Sequence, residues 1–167
     1  MRVRRAEPGE EMAVAEVHVR AWLAAYRGLI DDDYLDNLRA EDRAAKHSFG
    51  AADASAPETL LAVEGDDVLG FVAFGPSRDT DTRDAGEIFA LYIDPPCWNS
   101  GVGRLLMREA RKHLRRRGFG EGTLWVLEGN EQAERFYRAE GWQPDGAERE
   151  EDPYGPIVTV RRFRRPL

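Results

Sequence analysis

The stretch from Glu87 to Gly103 constrains this chain more than any other. Residues 87–93 (Glu-Ile-Phe-Ala-Leu-Tyr-Ile) are its most apolar run. They lead through Pro95-Pro96-Cys97-Trp98-Asn99-Ser100-Gly101-Val102-Gly103 into a helical pattern that reaches about Arg117. A strand with so few polar positions is buried on both faces, so it belongs at the centre of a sheet covered from both sides. The helix behind it carries Val102, Leu105-Leu106, Ala110 and Leu114 on one stripe. Where it begins, its first N–H groups lack intrahelical partners and the helix dipole is positive, which makes an anion site. Gly101 and Gly103 let a pyrophosphate approach the backbone there without meeting a Cβ. The turn lacks the Gly-Lys-Ser/Thr ending of a nucleotide-triphosphate loop and the third glycine of the dinucleotide fingerprint.

The remaining pattern surrounds that unit with alternating elements. A short strand at 3–6 precedes a helix from Glu10 to Arg27-Gly28, and Asp31, Asp32 and Asp33 offer caps for a second helix with Tyr34, Leu35 and Leu38. Residues 50–58 read as a mobile loop, 59–64 and 68–74 as a hairpin, and 75–85 as a polar loop. A strand at 123–127, a helix from Asn130 to Glu140, and closing strands at Trp142 and 157–163 follow, the last two separated by a polar, acidic loop. The order β-α-α-β-β-β-α-β-α-β-β predicts a single α/β (α+β) domain over 1–167. It should have a mixed, mostly antiparallel twisted sheet of about six or seven strands with helices on both faces.

Composition narrows the classes. The length of 167 residues fits one domain, and 42% apolar content excludes a largely disordered chain. No apolar run approaches the roughly 20 residues needed to span a bilayer, and residues 1–10 lack a signal sequence. The lone Cys97 and the absence of zinc-like Cys/His spacing fit a reducing cytoplasm with no bound metal. A net charge of −7 argues against a nucleic-acid partner, and the arginine clusters at 115–117 and 161–165 read as solvated element ends. The same charge tilts slightly toward a cationic small molecule.

A second motif lies one strand downstream. Asn130-Glu131-Gln132-Ala133-Glu134-Arg135-Phe136-Tyr137-Arg138-Ala139-Glu140-Gly141-Trp142, taken with Leu91-Tyr92-Ile93-Asp94-Pro95 and the Trp98–Gly103 turn, resembles the GCN5-related N-acetyltransferase (GNAT) family. That family pairs an (Arg/Gln)-x-x-Gly-x-(Gly/Ala) loop with an Asn-x-x-Ala-x-x-Phe-Tyr-x-x-x-Gly-(Phe/Trp) helix. The match is close over 87–142 and follows element order elsewhere. Ala21-Trp22, residues 25–29 and Asp33-Tyr34-Leu35 are similar to the first helix pair of many bacterial members.

The resemblance implies acetyl-CoA as cosubstrate and no metal. It implies that backbone groups of Leu91, Tyr92 and Ile93 pair with the pantetheine arm. Trp98, Asn99, Ser100, Gly101, Val102, Gly103 and Arg104 would bound the pyrophosphate site, with Asn130 and Phe136 along the arm and near the adenosine. Trp98 departs from the usual Arg or Gln, and Ser100 supplies no cation, which leaves Arg104 as the nearest guanidinium. Tyr137 matches the family's acid for the departing thiolate. A phenol with an ordinary pKa of about 10 can donate to a thiolate whose acid form titrates near about 8.5. Glu87 lies four residues before Leu91, which in a regular strand shares its face, and stands where relatives often carry a base.

His18, Trp22 and Tyr26 recur at i, i+4 and i+8, one face of the first helix, which either packs in the core or walls the acceptor pocket with His18 as a rival base. No His–acid partner accompanies Cys97, so direct transfer in a ternary complex is expected over a cysteine-linked route. The expected activity is acetyl transfer to a primary amine on a small molecule or peptide, without nucleic acid or membrane. The alternative is a domain that binds acetyl-CoA as a signal and does not turn it over. Relatives often pair through their last strands, which makes a homodimer an expectation by analogy.

Overall fold

The structure, a computed structural model, describes residues 1–50, 56–151 and 157–167. Its strands are β1 (Arg2–Arg5), β2 (Glu58–Glu64), β3 (Asp67–Pro76), β4 (Gly86–Ile93), β5 (Glu121–Leu127), β6 (Gln143–Glu151) and β7 (Val158–Pro166). The α-helices are α1 (Glu11–Tyr26), α2 (Asp32–Asp36), α3 (Ala40–Ala44), α4 (Val102–Arg116) and α5 (Glu131–Ala139). Two caps come straight from sequence. The Asp31 carboxylate accepts the Tyr34 amide at 3.1 Å to open α2, and the Asn130 side chain accepts the Ala133 amide at 3.2 Å to open α5.

The strands form one sheet in the order β1-β2-β3-β4-β5-β7-β6, antiparallel except where β4 runs beside β5. α4 covers one face, burying Leu106, Met107, Ala110 and Leu114 against Leu60, Val72, Phe74, Ile88 and Leu124. α1 covers the other, with Val14 and Val17 against Leu61, Val63 and Phe71. At about 25 cal/mol per Å² of apolar area, these two interfaces are what hold α4 and α1 to the sheet.

β4 contains the feature that shapes the site. Its register against β3 slips between Ala73 and Phe74, which pair with Ala90 and Ile88, so Phe89 is an extra, bulged residue. The bulge breaks the two-residue alternation. Ile88, Leu91 and Ile93 pack on the α4 face, whereas Ala90 and Tyr92 pack on the α1 face. Glu87 pairs across the sheet with Gly75, two residues beyond Ala73, and so joins the α1 face. The expected sharing of a face by Glu87 and Leu91 therefore fails.

Two other elements differ from expectation. The polar segment after Trp142 is a strand, β6, rather than a loop. It sits at the sheet edge, mostly exposed, so nothing in its role requires an apolar alternation. α3 has one buried side chain, that of Arg43, and so leaves little periodic trace. The loop expected at 50–58 falls mostly outside the described residues, and β2 already begins at Glu58.

Candidate active site

β4 and β5 pair only through Gly86–Gly122, Glu87–Thr123 and Ile88–Leu124. Beyond those pairs the strands part, leaving a gap of about 700 Å³ through the middle of the sheet. The peptide groups along that gap follow from one contact. The Asp94 amide donates to the Leu69 carbonyl at 2.9 Å, so by alternation the amide and carbonyl of Tyr92 face β3, while those of Leu91 and Ile93 face the gap. The Ile93 carbonyl is met by the Trp98 indole N–H at 2.9 Å. An extended ligand laid against β4 thus finds the Leu91 amide and carbonyl and the Ile93 amide, in the manner of an added strand.

On the α4 side the gap ends at the first turn of α4. Leu105 N–H makes the first bond, 3.0 Å to the Gly101 carbonyl, which leaves the Val102, Gly103 and Arg104 amides without intrahelical partners. Gly101 (φ 88°) and Asn99 (φ 61°) are both left-handed and turn the chain sharply into the helix. At Gly103 a Cβ would lie 3.4 Å from the Phe136 ring, an ordinary contact distance, so Gly103 sits directly against α5 at the gap's edge. Ser100 hydroxyl donates back to the Cys97 carbonyl, and Arg104 pairs with Glu140 at 2.8 Å.

Tyr137 comes from α5, its ring against Phe136, Trp142 and Phe163, and lines the gap. Burial, and then the Tyr92 phenol, hold its hydroxyl well above the usual phenol range. Tyr137 packs with the α4-face core and Tyr92 with the α1-face cluster, and both line the gap. Glu87 is buried behind the gap. Its Oε2 accepts the Arg78 amide at 2.9 Å and its Oε1 lies 3.6 Å from the Arg78 guanidinium. Burial raises its pKa, and the Arg78 amide offsets part of that rise.

On the α1 side the gap opens between Tyr26 and Ala25 of α1 and the rings of Phe89 and Trp125. His18 is not there. It stacks on Tyr92 at 4.6 Å and neighbours Trp22 at 5.1 Å, in the core beneath the gap. Burial pushes its pKa down to about 3, with Arg43 adding to the effect, so it is neutral at physiological pH.

Comparison with known proteins identifies the family of the chain that carries this gap. The Acetyltransferase (GNAT) family profile fits residues 17–142. The chain belongs to the GNAT family. An uncharacterized N-acetyltransferase of Bacillus subtilis, YuaI, is 31% identical over 135 residues, 77% of this chain and 72% of that protein. A probable N-acetyltransferase of Mycobacterium tuberculosis, Rv2775, is 28% identical, over 87% of this chain and 82% of its own. Among solved structures, the PaiA N-acetyltransferase of Thermoplasma acidophilum in complex with coenzyme A matches with TM-score 0.75 at 18% identity, over 96% of each chain. YncA from Salmonella typhimurium with its cofactor acetyl-CoA matches with TM-score 0.72 at 19% identity, over 99% of this chain and 93% of that one. At such identities the likeness is one of fold.

Seen as a GNAT site, the gap gathers Leu91, Tyr92, Ile93, Trp98, Asn99, Gly101, Val102, Gly103, Arg104, Asn130, Phe136 and Tyr137, together with Tyr26. It does not gather His18, Trp22, Ser100 or Glu87. The expected pairing of the Tyr92 backbone with a ligand fails, because its amide and carbonyl face β3, and Arg104 is engaged by Glu140. Asn130 spends its side-chain oxygen on the α5 cap. Trp98, the departure from the family pattern, ties the turn to the end of β4. Sequence reading missed Phe89, Trp125 and Arg135. For Trp125 a signal existed: in β5 it alternates with the core residues Leu124 and Val126, so an indole stands on the face the core does not use.

Proposed function

We propose that the chain transfers the acetyl group of acetyl-CoA directly to a primary amine within a ternary complex. The observation that carries this reading is the parting of β4 and β5, with α4 amides that lack intrahelical partners at one mouth and Tyr137 lining the gap between the strands. Acetyl-CoA supplies the acetyl group, activated as a thioester. The Leu91 and Ile93 backbone would hold its arm, and the amides of residues 102–104 its pyrophosphate. Tyr137, kept protonated by burial, holds the proton for the departing sulfur. Glu87, its basicity raised by burial, takes the amine's proton through water, because it does not itself line the gap.

Cys97 lines the gap, but burial and the nearby Asp94 and Glu64 raise its thiol pKa, which favours direct transfer over a cysteine-linked route. The acceptor is a small-molecule or peptide amine in the cytoplasm. The basic C-terminal stretch is spent on internal pairs, Arg161 with Glu128 and Arg162 with Asp79, Asp81 and Asp145, which weighs against a nucleic-acid partner. The exposed edge strand β6 carries Glu148, Glu150 and Glu151, and such charge disfavours pairing two copies along that edge.

Thermal unfolding with acetyl-CoA, and with ATP and NAD as controls, tests the donor site. A ligand at about 100 times its dissociation constant adds roughly 2.7 kcal/mol, about 5–10 °C in melting temperature for this size. No rise at millimolar acetyl-CoA overturns the reading. A rise without thiol release in the presence of any amine would favour the signal-binding alternative.

A further inference from the structure

We infer that the acceptor is an amine carried on a flat, apolar body, of the arylalkylamine kind, and that Trp125 is the residue that selects it. This deepens the proposed transferase reading and rests on it. The two mouths of the gap are built from different chemistry. Among the described residues, the charged side chains lining the gap are Arg104 and Arg135, from α4 and α5 at the donor mouth. The acceptor mouth is walled by Ala25, Tyr26, Phe89, Ala90 and Trp125, with no carboxylate among them. A polyamine or an extended cationic chain would bring further ammonium groups to a wall with no anion to receive them, a costly desolvation.

The wall is also held rigid from behind. The Trp125 indole N–H donates to Asp79 Oδ2 at 2.9 Å, and the Arg149 guanidinium lies 3.9 Å from the ring centroid. Asp79 is itself pinned by Arg149 at 2.8 Å and by the buried Arg162 at 3.4 Å. The Arg78 guanidinium lies 4.0 Å from the Phe89 ring in the same way, and neither Arg78 nor Arg149 lines the gap. Charge is thus spent on fixing two rings from outside, leaving ring surface to the acceptor. Asp79 and Arg149 act through Trp125 and are positioning residues.

The test compares 2-phenylethylamine with spermidine as acceptors, following thiol release from acetyl-CoA, in the wild type, Trp125→Phe and Trp125→Ala. The wild type should prefer 2-phenylethylamine in kcat/KM by about tenfold or more, and Trp125→Ala should raise its KM by about 10–100-fold. In Trp125→Ala the KM for acetyl-CoA and the melting-temperature rise it gives should stay as in the wild type, and Trp125→Phe should keep most of the preference. A preference for spermidine, or a Trp125→Ala loss shared equally by both amines, overturns the acceptor class. So does failure of both amines while acetyl-CoA still raises the melting temperature, and in that case the donor site stands. Failure of acetyl-CoA to raise it overturns the transferase reading itself.

Discussion

The two mouths of the gap are made by different means. The donor mouth is backbone: the first amides of α4, the left-handed Asn99 and Gly101, and the unpaired edge of β4. The acceptor mouth is side chain: rings drawn from α1, β4 and β5, steadied by Asp79, Arg149 and Arg162 from three further places in the chain. Backbone geometry demands particular residues at adjacent positions, whereas a side-chain wall accepts many solutions from distant ones. The first kind of site suits a ligand common to a whole family, and the second lets each member choose its own.

The largest effect should come at the waist, where the two mouths meet. Tyr137→Phe keeps the ring packing and removes the proton, so kcat should fall by about 10²–10³-fold while acetyl-CoA binding is unchanged. Steady-state thiol release against a thermal-shift titration separates the two quantities, and an unaltered kcat would remove Tyr137 from the chemistry.

Beneath the acceptor mouth, His18 sets acid stability. Its folded pKa of about 3 lies below its ordinary 6.5, so its contribution is present above pH 6.5 and is lost as pH falls toward 3. Between pH 7 and pH 4 that loss amounts to about 3 kcal/mol. Urea unfolding across this range should show a shallower decline in His18→Phe than in the wild type, and parallel curves would contradict the burial argument.

Glu87 is expected to act more weakly, through water. Glu87→Gln should lower kcat/KM by about tenfold and abolish the rise in rate as pH climbs through the elevated pKa of the carboxyl. Because that folded pKa is raised, Glu87 favours the folded state below its ordinary pKa of 4.5, and this is lost as pH rises through the folded value. Glu87→Gln should therefore be no less stable than the wild type at pH 7, and a marked drop in melting temperature would show that the ionised carboxylate supports the fold. The smallest change sharpens the donor side. Gly101→Ala forces a side chain into φ 88°, costing about 1 kcal/mol of stability and weakening acetyl-CoA with little effect on amine preference.

The same contrast governs what could be read from sequence. The end of the gap at α4 was legible because Gly101, Gly103 and Asn130, which line it, sit within two contiguous motifs whose spacing the backbone dictates. The central place of β4 was legible from its apolar run. Of the opposite end only Tyr26 was legible, because Phe89 turns to it through a bulge that leaves no mark in the alternation, and that bulge moved Glu87 off the Leu91 face. His18 shows the converse. Its helical spacing with Trp22 and Tyr26 was plain, yet only Tyr26, at the end of α1, reaches the gap. β6 was missed because an exposed edge strand needs no apolar pattern.

The seam between β4 and β5 has a mechanical consequence. Three residue pairs join a four-stranded leaf, β1 to β4, to a three-stranded leaf, β5, β7 and β6. Within the sheet this seam is stitched by strand pairing at one end and open at the other, while α4 packs across both leaves, on Leu60, Val72 and Ile88 of one and Leu124 of the other. A ligand bonded to β4 on one leaf and packed against α5 on the other serves as the missing stitches. Filling the gap is then a change in stiffness as much as in occupancy, and the amides beside the seam are where hydrogen exchange would register it.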